Sequence, residues 1–378
     1  MRFSLRTSSL LLLLLVPLVL VSCDSGGGVD PEPEPPEEPG FDRMAMLANM
    51  GNNIVLPAYV NLQASIAALE EATDAFVASP NMGTLGSAQD ALKAARMAWQ
   101  DANLFQFGPA ESVTLRAALN TYPVDDDRVE DNVSSGNYAL GSISDGAAGG
   151  LPTLGYLLHS ASMADVVALY STDADAEGRR AYLQDNVDFI KGNVDTVVQQ
   201  WQASGGNYIG TFLDEDRAGT DVGSALGMVI NALSLHYERF LRDGKIGIPA
   251  GVRSAGIPRP NTTEALYGGY SAELARANVE AVERLFLGVG LDGTDGIGLD
   301  EQLEALEATD LTNDIKTSLT NIKAATGTVS DPLSADIEAD RERAVSVFTT
   351  MQQFVVLFKT DMTSVLGVSI TYQDVDGD

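Results

Sequence analysis

An all-α body built as two packed helical bundles is predicted by three observations. Apolar residues recur at three- and four-residue steps through most long segments. Strand-like alternation is confined to residues 368–372, and two irregular stretches separate helical sets of comparable length. In order, Ile54, Ala58, Leu62, Ser65, Ile66 and Leu69 fall on one stripe of a first helix. Residues 85–105 repeat the habit with Ala88, Leu92, Ala95, Trp99 and Ala102, and Val187, Ile190, Val194, Val197, Val198 and Trp201 form a third stripe. Further helices are predicted over 226–241, 272–287, 301–308 and 335–366, the last started by Asp331-Pro332. The stretch 134–152 is rich in Gly, Ser, Ala and Asp, and 204–223 is similar. The boundary is placed at the second of these, giving bundles at 43–203 and 224–378 joined by 204–223.

Ahead of that body lies an address. Arg2 and Arg6 precede an apolar run over residues 10–20, broken only by Pro17 and closed by Leu20-Val21-Ser22-Cys23. The run is too short and wrongly flanked for a spanning helix and has the form of a signal peptide, residues 1–22. Its last residues fit a bacterial lipobox, so Cys23, the chain's one cysteine, is the predicted lipidation site. The alternative is an ordinary cleaved signal with an incidental thiol, which an exported protein tolerates poorly. Residues 23–42 continue as a Gly-, Pro- and acid-rich linker with almost nothing to bury. The expectation is a body tethered by lipid at the cell envelope, on the periplasmic face or the cell surface.

The formal net charge is −30, and only six basic residues are lysine. Nucleic acid and anionic membrane need basic patches and are disfavoured as ligands. The acidity suits a solvated surface in a salty habitat, or cation binding.

Several segments, in order, resemble the imelysin-like family of bacterial lipoproteins. They are Ile54-Val55-Leu56-Pro57-Ala58-Tyr59, Ala95-Arg96-Met97-Ala98-Trp99 with Phe107-Gly108-Pro109, Asn120-Thr121-Tyr122-Pro123-Val124-Asp125, and Gly155-Tyr156-Leu157-Leu158. Lys245-Ile246-Gly247-Ile248-Pro249, Thr263-Glu264-Ala265-Leu266-Tyr267, Asn278 and the ending around 366–372 continue the series. The resemblance implies a two-bundle helical fold and a link to iron. It also implies a Gly-x-His-x-x-Glu metal motif, whose His and Glu share one helix face. Anchored on Gly155-Tyr156, that motif falls on residues 150–155: Gly150 is present, but Pro152 replaces the histidine and Gly155 the glutamate. Neither can ligate a metal or move a proton, so the departure counts against a metallopeptidase.

Nothing else in the sequence restores such a site. His159, one turn later, reads as a polar helix-end residue. His236 and Glu238 are two apart and diverge on a helix, so His236 reads as an interface residue. Residues 292–300 and 374–378 are acidic and glycine-containing but lack the spacing of a calcium loop. A Pro- and Gly-rich crossing segment over 246–269, long for a bundle connection, gathers Arg253, Arg259 and Glu264 just after Lys245. Its arginines would hold a carboxylate or an anionic siderophore-like ligand bidentately, or else close the domain interface against local acids. His236, Lys245, Arg253 and Glu264 are therefore the candidate ligand-binding residues. Three readings follow: a non-catalytic binding lipoprotein in iron or other divalent-metal acquisition with an envelope transport partner, a metallopeptidase, and a structural docking lipoprotein.

Overall fold

The computed structural model describes residues 40–371. Cys23 with the predicted signal segment, most of the predicted linker and the acidic terminus from residue 372 lie outside the described residues. Among the described residues every regular element is helical.

The first half opens with α1 (Arg43–Asn49), which passes through a π-helical turn, Met50–Val55, into α2 (Leu56–Ala78). Then come α3 (Met82–Ala102), short α4 (Pro109–Ser112) and α5 (Leu115–Leu119), α6 (Asp126–Ser135), α7 (Gly150–His159), α8 (Met163–Ser171) and α9 (Ala176–Trp201). The sequence boundary at 204–223 carries α10 (Tyr208–Phe212) and a 3-10 turn. The second half holds α11 (Ala225–Leu235), continued by a π-wound stretch His236–Gly247, then α12 (Ser271–Phe286), α13 (Leu299–Ala305) and α14 (Thr309–Thr326). It closes with α15 (Leu333–Ala339), α16 (Arg341–Val355), a second π-wound stretch Val356–Met362, and α17 (Thr363–Leu366).

The predicted stripes are the buried ones. α2 buries Ala58, Leu62, Ile66 and Leu69 between α3 and α9, and α3 buries Leu92, Ala95 and Trp99 on the same face. Such spacing turns one side of each helix inward, where each large apolar side chain contributes about 1.5–3 kcal/mol on burial. In the second half α12, α14, α16 and the π-wound stretch pack together, and α12 also packs on α3. One apolar cluster therefore runs from Met46 to Val368 through both halves. Side-chain caps set several starts: Asn81 Oδ1 accepts from Gly83 N and Thr84 N ahead of α3, and Ser224 Oγ accepts from Gly227 N ahead of α11.

Three expectations need correction. The helix predicted over 335–366 breaks at Asp340, whose extended backbone separates α15 from α16. Arg343 reaches back across the break to Asp336, 2.7 Å away. The helix α14 occupies a stretch for which the sequence reading has no helix at all. The alternation after Gly367 makes no strand in the described residues; instead Asn231 stands in for a partner strand, its amide donating to Ser369 O and accepting from Thr371 N.

Candidate functional site

The π-wound stretch is what assembles the polar centre of the molecule. Its backbone bonds reach five residues back, as from Ile248 N to Asp243 O at 2.8 Å. Ordinary α winding turns about 100° per residue, so two residues nine apart would face roughly opposite sides. The wider winding turns less per residue and brings both inward. His236 and Lys245, nine apart, are accordingly both buried.

Glu264, from the crossing segment, is buried and fully engaged. One carboxylate oxygen accepts from Asn120 Nδ2 at 2.9 Å and Gln100 Nε2 at 3.2 Å, and the other is bonded to Lys245 Nζ. Burial pushes its carboxyl up, but Lys245, Arg96 and the donated hydrogen bonds outweigh that and hold it below the usual range. Lys245 is drawn down by burial and by Arg96 and Arg116, against the support of Glu264. Arg96, from α3, donates through Nη2 to the backbone oxygen of Glu264 at 2.5 Å.

His236 sits beside this cluster in a fixed tautomer. Asn278 Nδ2 donates to Gln100 O at 2.8 Å, which leaves Asn278 Oδ1 as the acceptor for His236 Nε2–H at 2.7 Å. The other ring nitrogen, Nδ1, then accepts from Arg116 Nη2 at 3.2 Å. Burial, together with Arg116 and Lys245, holds the imidazole well below its ordinary value. Neither nitrogen is left to ligate a metal or take a proton. His236, Lys245 and Glu264 thus come together as an internal lock between the halves, whereas Arg253 lies elsewhere.

The motif positions border the same centre. Gly150 begins α7 with φ +83°, and a Cβ there would stand 2.6 Å from Leu119 O, so only glycine lets α7 approach α5 so closely. Pro152 lines a cavity of about 300 Å³ with Arg96, Tyr122, Glu264 and Tyr267. A Cβ on Gly155 would lie 3.1 Å from Arg96 Nη1. A metal does not fit these residues: Pro152 and Gly155 offer no donor, and Glu264 is already held by Lys245, Asn120 and Gln100. Among the described residues no three His, Cys, Asp or Glu side chains cluster closely enough to hold a metal ion. His159 ends α7, its Nε2 buried without a partner in the described residues, and burial with Arg96 lowers its pKa to about 4. Of the calcium-like acids, Asp292 caps Thr294 N and Asp300 pairs with Lys316.

On the other side of Tyr122 and Pro123 opens a groove of about 970 Å³ between the halves. Its floor is Phe240, with the Arg116 guanidinium 3.8 Å above the ring centre. Burial lowers the Arg116 pKa to about 9, leaving it charged at neutral pH. Arg253, at one side, is gripped by Asp243 through contacts of 2.9 and 3.2 Å. Arg239 and Arg259 are exposed on the rim, and neither side chain has a partner among the described residues. Sequence reasoning grouped Arg253 and Arg259 but missed Arg96, Arg116 and Arg239. The signal for Arg96 was present, since it lies four after Leu92 and three before Trp99, on the buried stripe.

A family model described as imelysin matches residues 55–353. A curated relative, iron-regulated protein A of Synechococcus elongatus, is 34% identical over 74 residues, which covers 20% of this chain and 21% of that protein. The matched region thus spans about a fifth of that relative's length. A solved structure named as an iron-regulated protein A precursor from Parabacteroides distasonis superposes with a TM-score of 0.69 at 16% identity, over 86% of this chain and 95% of that one. An imelysin-like protein from Psychrobacter arcticum does so with a TM-score of 0.67 at 17% identity, over 87% and 97%. At such identities the two structures establish a shared all-helical fold.

Proposed function

The chain belongs to the imelysin family, and from that premise we propose that it is a lipid-anchored envelope protein that binds an anionic ligand without catalysing a reaction on it. The observation that carries the reading is the groove between the halves. In a protein of net charge −30 it presents Arg239 and Arg259 unpartnered among the described residues, over an aromatic floor that bears Arg116. Guanidinium groups engage carboxylates bidentately, and the groove's volume is that of a small-molecule site. The names of the relatives supply the iron connection, so the ligand class proposed is an anionic iron chelate, and Cys23 would supply the anchor. The absence of ligating side chains at Pro152 and Gly155 supports a binding role over a peptidase.

The test is calorimetric titration with ferric citrate at low salt. The purified protein is expected to bind it, and Arg239→Ala/Arg259→Ala to weaken binding about tenfold or more. Unchanged affinity in the double variant, or peptide cleavage abolished by chelators, would overturn the reading.

A further inference from the structure

The groove does not account for the smaller cavity beside α7, nor for the arginine that floors it. Arg96 is 1% exposed. A guanidinium carries five N–H donors, yet this one makes a single hydrogen bond among the described residues, from Nη2 to Glu264 O. Its Nε is buried with no partner in the described residues, and the face of Tyr270 lies 5.7 Å from the guanidinium carbon. Leaving buried donors of a charged group unmade is costly, so such a group calls for an acceptor.

The carboxylate nearby cannot serve. Both oxygens of Glu264 are held by Lys245, Asn120 and Gln100. Two cations, Arg96 and Lys245, therefore share one buried carboxylate. Asp126 lines the cavity too, but it is exposed at the rim and within 3.4 Å of the Tyr267 hydroxyl. Space for an acceptor exists on the α7 side. Gly155 has no side chain where a Cβ would come 3.1 Å from Arg96 Nη1, and Pro152 leaves the wall beside it without a polar group. Tyr122 and Pro123 line both this cavity, of about 300 Å³, and the larger groove.

We propose that this cavity is a small-oxyanion site in which the Arg96 guanidinium takes the two-oxygen edge of a carboxylate or phosphate lodged against Pro152 and Gly155. The planar fork of arginine matches that edge. The volume suits an anion of a few heavy atoms and is about a third of that of the groove proposed for the larger ligand.

The probes are sodium acetate and inorganic phosphate, compared with chloride at matched ionic strength by thermal unfolding and calorimetric titration. Acetate or phosphate is expected to raise the unfolding midpoint over chloride. Gly155→Glu, which places a carboxylate on Arg96 covalently, is expected to raise the midpoint in chloride and to weaken oxyanion binding about tenfold or more. Arg96→Gln should abolish binding if it folds; Gly155→Glu keeps the test valid if it does not. Arg239→Ala/Arg259→Ala should leave the response intact, which separates this site from the groove. Equal midpoints in all three anions, an undiminished response in Gly155→Glu, or loss of the response in the groove variant would each overturn the proposal.

Discussion

Replacing His236 with glutamine should flatten the acid limb of the stability curve. The imidazole is fully buried between Arg116 and Asn278, and its folded pKa lies well below 6.5. The folded state therefore excludes a proton that the unfolded chain accepts below about pH 6.5. With more protons bound by the unfolded chain, stability is present in full above that value and falls as pH drops beneath it. At about 1.36 kcal/mol per pH unit inside the window, one such histidine costs about 2 kcal/mol between pH 7 and pH 5. Glutamine keeps one donor and one acceptor but does not titrate. Trp99 and Trp201, the only tryptophans, are both buried, so urea unfolding followed by their fluorescence reports the transition at each pH. The chain's other histidine, His159, is held to about pKa 4 and contributes with the same sign. The quantity to read is thus the difference in slope between the wild type and His236→Gln, with His159→Gln added as a second step. If the two curves run parallel from pH 7 to pH 5, the imidazole titrates freely in the folded state and the tautomer assignment is wrong.

Other outcomes follow from the same centre. Glu264→Gln leaves Lys245 buried without its countercharge and should cost about 3–5 kcal/mol in urea unfolding, most of it recovered in Glu264→Gln/Lys245→Met. Because the Glu264 carboxyl is held below its usual range, its contribution is present above the unfolded value and lost as pH falls through the folded one. The wild type should therefore lose more stability in strong acid than the double variant. Gly150→Ala, with φ +83° and a Cβ 2.6 Å from Leu119 O, should lower stability by about 2 kcal/mol or more by the same assay; a change within about 0.5 kcal/mol would mean α7 can withdraw from α5 freely.

Much of this architecture was legible in the sequence because apolar spacing is a local signal. Leu62, Ile66 and Leu69 announce α2, and Ile190, Val194, Val197 and Trp201 announce α9 by the same repeat. The helix α14 escaped because its inward stripe is thin, Thr312, Ile315, Leu319 and Ile322 among polar neighbours. The break at Asp340 escaped because its ion pairs form only once the chain has turned. At the site, chemistry and location separated. His236, Lys245, Arg253 and Glu264 were grouped as contacts for a ligand; the structure brings His236, Lys245 and Glu264 together, without Arg253, and ties them to protein partners. Their partners are Asn278, Asn120, Gln100 and Arg116, and the contacts of Glu264 with Asn120 and Gln100 lie 144 and 164 residues away in sequence. No local pattern encodes such pairings. The carry-over of Gly150, Pro152 and Gly155 needed only residue identity and order, which is why it could be read before any fold was known.

The π-wound stretch His236–Gly247 has a further consequence, for what changes in chain length do here. Winding by five-residue bonds is equivalent to an extra residue accommodated within a turn. Rewinding these same residues as ordinary α-helix would leave every side chain chemically unchanged but turn His236 and Lys245, nine apart, to opposite sides. The two would then point apart, and Glu264 and Asn278 would each lose the neighbour that answers them. At this place winding and residue count act together: nine residues need the wider winding to face one way, whereas a homologue one residue shorter would hold both on one side in ordinary α winding, where residues eight apart lie about 80° from each other.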